Sequence, residues 1–176
     1  MIKQDVVFSG KLLTVRVDTV GLENGQEARR EIVEHPGAAV IVAVDETQNV
    51  LLVRQYRYAV GQDSLELPAG TREKGEPVEQ TAPRELEEET GYTAARWEPL
   101  GRFFSSPGIL TEEMHLFLAR DLAEGASRPE GDEDLHLVRL PLDEAVDMIR
   151  RGEIHDAKSI IGLLLAREKL SRMATP

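Results

Sequence analysis

Glu85, Glu88 and Glu89 stand at positions i, i+3 and i+4, the spacing in this chain most able to do chemistry. On an α-helix it puts the three carboxylates on one face, within about 6 Å of each other. Alone, they repel. Hard divalent cations such as Mg²⁺ or Mn²⁺ take carboxylate, carbonyl and water oxygens, so the cluster becomes favourable when two or more ions bridge it to a phosphate. Arg84, four residues before Glu88, can pair with it and orient one carboxylate, and Leu86 points to the core and pins the helix. Upstream, Pro68-Ala69-Gly70 suits a loop that presents a backbone carbonyl, that of Ala69, to a metal. An isolated ELEEE would read as a solvated acidic face. Register with Gly70, Glu76, Arg84 and Gly91 removes it from that class.

The elements that must position these residues follow from periodicity. Val6 to Val20 reads as one or two short strands, and Ala28 to His35 as another. The apolar run 38–45 is a buried strand, ETQN is a turn, and 50–60 is a second strand expected to pair back on the first as a hairpin. Helical character spans Glu76 to Thr90, with Pro77 at the first helical position and Gly91 as its C-cap. Pro83 falls inside that span and predicts a late start or a kink, since it removes a backbone hydrogen bond and crowds the carbonyl of Glu79. Trp97 to Phe104 and Met114 to Ala119 are strand candidates, and 141–152 and 155–170 are helices. Strands first, one helix within the strand series and helices last predict an α+β fold, a mixed sheet sandwiched between helices.

Length and composition set the outer limits. A chain of 176 residues with 41% hydrophobic residues suits one compact domain with a real core. The first thirty or so residues are readable as a separate β appendage. The 32 acidic against 21 basic residues give a net charge of -11, which argues against binding a nucleic-acid backbone. The absence of cysteine excludes disulfides, thiolate metal sites and cysteine nucleophiles. No secretory h-region and no run of eighteen apolar residues occur, so the expectation is a soluble, cytoplasmic protein without a membrane partner. His115, His136 and His155 show no partner in sequence and read as surface or structural, while 156–158 reads as a helix start.

From Gly70 the chain gives Gly, five residues, Glu76, seven residues, Arg84-Glu85-Leu86, one residue, Glu88-Glu89, one residue and Gly91-Tyr92. This resembles the Nudix box, G-x5-E-x7-R-E-U-x-E-E-x-G-U with U aliphatic, and departs from it only at Tyr92. The stretches REIVEHPGAAV, LLVRQYRYAV, LELPAG, SSPGILTEEMHLFLA and GEIHDAKSIIGLLL, with Pro107 sixteen residues after Gly91, resemble the ADP-ribose pyrophosphatase subfamily.

That resemblance implies a Nudix α/β/α sandwich at 37–176, preceded by an N-terminal β region at 1–36 that helps build a homodimer. It implies metal ligation by Glu85, Glu88, Glu89 and the Ala69 carbonyl, with Glu133 as a further ligand or the general base. Glu130, Asp132 and Asp134 are alternatives to Glu133. Arg57 matches a substrate-binding arginine, Arg30 one reaching in from the partner subunit, and Glu66 and Glu112 further polar positions of the pocket. The implied reaction is magnesium- or manganese-dependent hydrolysis of ADP-ribose to AMP and ribose 5-phosphate. Alternatives are another nucleoside diphosphate sugar such as a GDP-sugar, a nucleoside triphosphate or a dinucleoside polyphosphate. A sensor that binds ADP-ribose without cleaving it usually loses box glutamates, which this chain keeps.

Overall fold

The computed structural model describes residues 1–125 and 135–174. Strands β1 (Lys3–Ser9), β2 (Thr14–Gly21) and β3 (Glu27–Glu34) form an antiparallel sheet of their own, matching the expected N-terminal β region. Next come β4 (Ala38–Ala43), β5 (Asn49–Arg57), β6 (Gln62–Glu66), β7 (Ala69–Thr71) and helix α1 (Val78–Thr90). Then follow β8 (Tyr92–Phe104), β9 (Glu113–Glu124), β10 (His136–Pro141), α2 (Leu142–Arg150) and α3 (Ala157–Ala174).

Two further sheets build the main body, one ordered β7-β4-β9-β8 and the other β10-β5-β6. The first is mixed, because β4 runs parallel to β9 and antiparallel to β7. β4 and the middle of β9 are apolar on both faces, and their successive residues go to different cores. Val40 and Val42 of β4 join Leu116 and Leu118 of β9 against α2 and α3, represented by Leu142, Val146, Leu163 and Ala166. Ala39, Ile41 and Ala43 instead join Phe117 and Ala119 against Val78, Ala82 and Leu86 of α1. Helices on both faces of the sheet give the α/β/α sandwich.

The expected hairpin of 38–45 with 50–60 does not form. β4 takes β7 and β9 as neighbours and β5 takes β6 and β10, so a single Val44–Val50 bridge joins the ends of the two runs. A fully apolar strand is buried on both faces whatever its neighbour, so hydrophobicity identified the strands and was silent on pairing. The turn between them carries the chain from one sheet to the other, closed by Asp45, whose carboxylate accepts from the backbone N–H of Thr47 and Asn49.

Helix α1 does not start late. Pro77 precedes its first residue with an extended ψ of 138°, and the helix runs on through Pro83 to Gly91, whose φ of 75° makes a left-handed C-cap. Pro83 lies on the exposed side, where water can serve the carbonyl that loses its donor.

Helix α3 approaches the sheet closely at Gly162, where a Cβ would stand 2.6 Å from Leu67 Cδ1 and 3.2 Å from Val42 Cγ2. Gly162→Ala should therefore destabilise the protein by about 1–3 kcal/mol despite its better helix propensity, measured by urea denaturation. Unchanged or increased stability would show that the interface gives way freely.

Candidate active site

The box residues meet where α1 packs on β7. β7 is three residues long, paired Val40 with Ala69 and Ala39 with Gly70, so β4 holds it in place. Leu86, fully buried, anchors the middle of α1. Glu89 is 6% exposed, and its Oε2 accepts a hydrogen bond of 3.1 Å from the backbone N–H of Ala69. Gly70 leaves room for Glu85, since a Cβ there would fall 1.7 Å from the Glu85 carboxyl carbon. Only glycine fits that position without displacing the carboxylate.

Arg84 gathers the acids. One terminal nitrogen, Nη1, lies 2.8 Å from Glu85 Oε1 and 2.9 Å from Glu88 Oε2. Nε and Nη2 reach the two oxygens of Glu76, each at 3.2 Å. Glu76 also accepts from the Glu73 backbone N–H and from the Thr81 hydroxyl. The Arg84 hydrogen bond, aided by these two donors, holds the Glu76 carboxyl well down, at about 2. The same carboxylate raises the Arg84 pKa, and the guanidinium stays charged. This explains the box spacing: Glu76, on the loop before α1, buckles an arginine that in turn holds Glu85 and Glu88.

A cleft of about 260 Å³ opens over this arrangement, lined by Arg57, Ala69, Thr71, Glu73, Glu85 and Glu88 among others. A larger groove of about 620 Å³ runs past α2 and α3 and contains no box residue, so size alone does not mark the site. The donor chemistry of the smaller cleft, carboxylates beside a backbone stripped of side chain at Gly70, fits a hard divalent cation. Among the described residues, no three acidic or histidine side chains already converge as a ligand set, and Arg84 is the cation between Glu85 and Glu88.

Arg57 projects from the end of β5 and is held by Glu66 of β6, Nε to Oε1 at 2.9 Å and Nη2 to Oε2 at 2.6 Å. Glu66 is 3% exposed and sits behind the cleft, where it grips the arginine. Lys158 reaches the same Oε2 and also Asp156, at 2.9 Å. Asp156 starts α3 as expected, its Oδ1 accepting from the Ser159 backbone N–H. Buried Ser159 accepts from the Leu67 N–H at 2.7 Å, so the first turn of α3 grips the segment that leads into Ala69. The reading of 156–158 as a plain helix start missed this reach. Its trace in sequence was the presence of those residues within GEIHDAKSIIGLLL.

Other expected site residues lie apart in this single chain. Arg30 is exposed on β3, donating to the Arg29 carbonyl, and does not line the cleft. Glu112 lies 3.4 Å from His35 in a short segment stitched to β3 by the Val33–Leu110 bridge, and it too is absent from the cleft lining. His115 sits beside Glu113, and His155 bonds Gln62 at 2.8 Å. Glu133, with Glu130, Asp132 and Asp134, lies outside the described residues.

Comparison with known proteins names the class to which this fold and its buckled acidic helix belong. The NUDIX domain model matches residues 33–161, and the chain belongs to the Nudix hydrolase family. It is 43% identical over 164 residues to a methanol dehydrogenase activator of Bacillus methanolicus, covering 92% of this chain and 89% of that one. Similarity to an ADP-ribose pyrophosphatase of Bacillus subtilis is 41% over 160 residues, covering 90% and 86%. A GDP-mannose pyrophosphatase of Citrobacter koseri is 34% identical over 172 residues, covering 90% of each chain. Among solved structures, an ADP compounds hydrolase superposes with a TM-score of 0.87 at 26% identity, covering 99% of this chain and 95% of that one.

Two measurements follow from the geometry. Burial raises the Glu66 pKa, but the bonds from Arg57 and Lys158 outweigh it and bring it from 4.5 to about 2. The folded value is the lower, so its contribution to stability is full above pH 4.5 and is lost as the pH falls toward 2. Glu66→Gln should flatten stability against pH in that window, read from urea midpoints. In a separate test, Gly70→Ala should keep the circular dichroism spectrum while hydrolytic turnover drops about a hundredfold; retained turnover would mean that the Glu85 position does not matter.

Proposed function

We propose that this chain hydrolyses the diphosphate linkage of ADP-ribose, giving AMP and ribose 5-phosphate. The observation that carries the reading is the convergence of Glu85, Glu88 and the Glu66-gripped Arg57 on one cleft beside Gly70. Together they oppose a site for hard cations to a fixed guanidinium, the pairing that a diphosphate needs. The similarity to an ADP-ribose pyrophosphatase and to an ADP compounds hydrolase supports adenosine as the nucleoside.

Divalent magnesium or manganese ions, two or more, would be held by Glu85, Glu88, Glu89 and the Ala69 carbonyl; they supply charge neutralisation and a more acidic bound water. The protein's own share is positional. Arg84 keeps two carboxylates close together before any substrate arrives. Glu89, held by the Ala69 N–H, ties the helix to the loop whose carbonyl completes the donor set. Arg57 takes the diphosphate or the sugar attached to it through its guanidinium. Glu133 is assigned as a further ligand or as the base that accepts the water proton, with Arg30 and Glu112 completing the pocket in the assembled protein.

That assembly is a homodimer built through the N-terminal sheet. Ile2, Val6, Val7 and Phe8, on or beside the edge strand β1, are each more than half exposed, an apolar row at an unpaired sheet edge. The protein acts in the cytoplasm on a small nucleotide; no helix among the described residues is long and apolar enough to cross a membrane.

Incubation with magnesium and a panel of ADP-ribose, GDP-sugars, nucleoside triphosphates and dinucleoside polyphosphates, followed by product mass spectrometry, tests the proposal. AMP plus ribose 5-phosphate as the fastest products supports it, and preferential release of a sugar phosphate from a GDP-sugar overturns it. Glu85→Gln or Glu89→Gln should lower turnover by about three orders of magnitude with the fold intact, and chelation should abolish it.

A further inference from the structure

One basic group tied to the same carboxylate as Arg57 does not line the cleft. Lys158, on the first turn of α3, is 11% exposed and spends its ammonium on Glu66 and Asp156. Four charges therefore form one chain of alternating sign, Arg57, Glu66, Lys158 and Asp156. Its outer end lines the cleft and its inner end caps a helix.

Glu66 creates a difficulty that Lys158 resolves. A buried carboxylate gripping Arg57 with both oxygens fixes the guanidinium, yet by itself it would cancel the positive charge that an anionic ligand must feel. A second cation on the same oxygen returns the group around Glu66 to a net positive charge and leaves the grip intact. Asp156 pairs with Lys158 and also acts electrostatically on Arg57, so the four charges sum to zero and the lysine offsets Glu66 without adding surplus charge.

We propose that Lys158 is a positioning residue for diphosphate binding: acting through Glu66, it holds the Arg57 guanidinium in place and offsets the Glu66 charge at that side of the cleft. This rests on Arg57 being the diphosphate-binding cation of the proposed function. Lys158 touches no reacting atom, so its loss weakens binding more than chemistry.

A double-mutant cycle of Lys158→Met and Arg57→Ala, with Lys158→Arg as the conservative variant, tests the inference. Steady-state kinetics use ADP-ribose at saturating magnesium, and calorimetry measures inorganic pyrophosphate affinity under the same conditions. Lys158→Met should raise KM and weaken pyrophosphate binding about tenfold while kcat changes less than about threefold. Lys158→Arg should recover most of the affinity, and in the Arg57→Ala background the Lys158 substitution should add less than about twofold. Unchanged affinity, or an equal penalty with and without Arg57, overturns the inference. If Lys158→Met lowers the folded fraction, Lys158→Arg and the calorimetric affinity per folded molecule decide. A wild type that binds pyrophosphate and does not cleave ADP-ribose overturns the proposed substrate alone, because the affinity arm still decides the role of Lys158.

Discussion

Like charges must be kept together in this protein, and Arg84 is what keeps them. Its guanidinium touches Glu76, Glu85 and Glu88, each of which would otherwise repel the others. Such contacts are modest at an exposed surface, but here the acids are mostly covered and the arginine is tied on two sides. Helix α1 can therefore carry a dense row of glutamates without unwinding, and its hydrophobic side, centred on Leu86, can be spent on packing. The box residues that line the cleft are placed by that helix and by β7, against which it packs.

The sandwich adds a second requirement. β4 contributes to the core under α1 with every other residue and to the core under α3 with the rest. A shift of one residue along β4 would exchange the two cores and carry Ala69 and Gly70 out of register with Glu85 and Glu89. Packing and chemistry are thus written into the same strand. The close approach at Gly162 belongs to this arrangement, because Leu67, which α3 meets there, leads directly into the loop that Glu89 holds.

Much of this was legible in the sequence, for identifiable reasons. Glu85, Glu88 and Glu89 are near one another in the chain, and helical periodicity is enough to align them. Strand positions were equally clear wherever apolar runs were long. Pairing was not, and the hairpin expected of β4 and β5 failed because two-sided burial gives no preference for a neighbour. Arg57 and Glu66 could be named from resemblance, but their mutual grip could not, since nine residues and a turn separate them. Lys158, ninety-two positions from Glu66, was read only as part of a helix start, for local capping leaves a local pattern, whereas the resemblance of its stretch named no partner for a distant ion pair.

The first turn of α3 has a consequence for how the protein comes into being. The acidic box is complete at residue 91, while the residues that brace its approach segment, Lys158 on Glu66 and Ser159 on the Leu67 N–H, come much later in the chain. A polypeptide cut short after β10 would contain every glutamate of the box and lack the brace beneath it. Synthesis order thus separates possession of the reactive groups from their alignment.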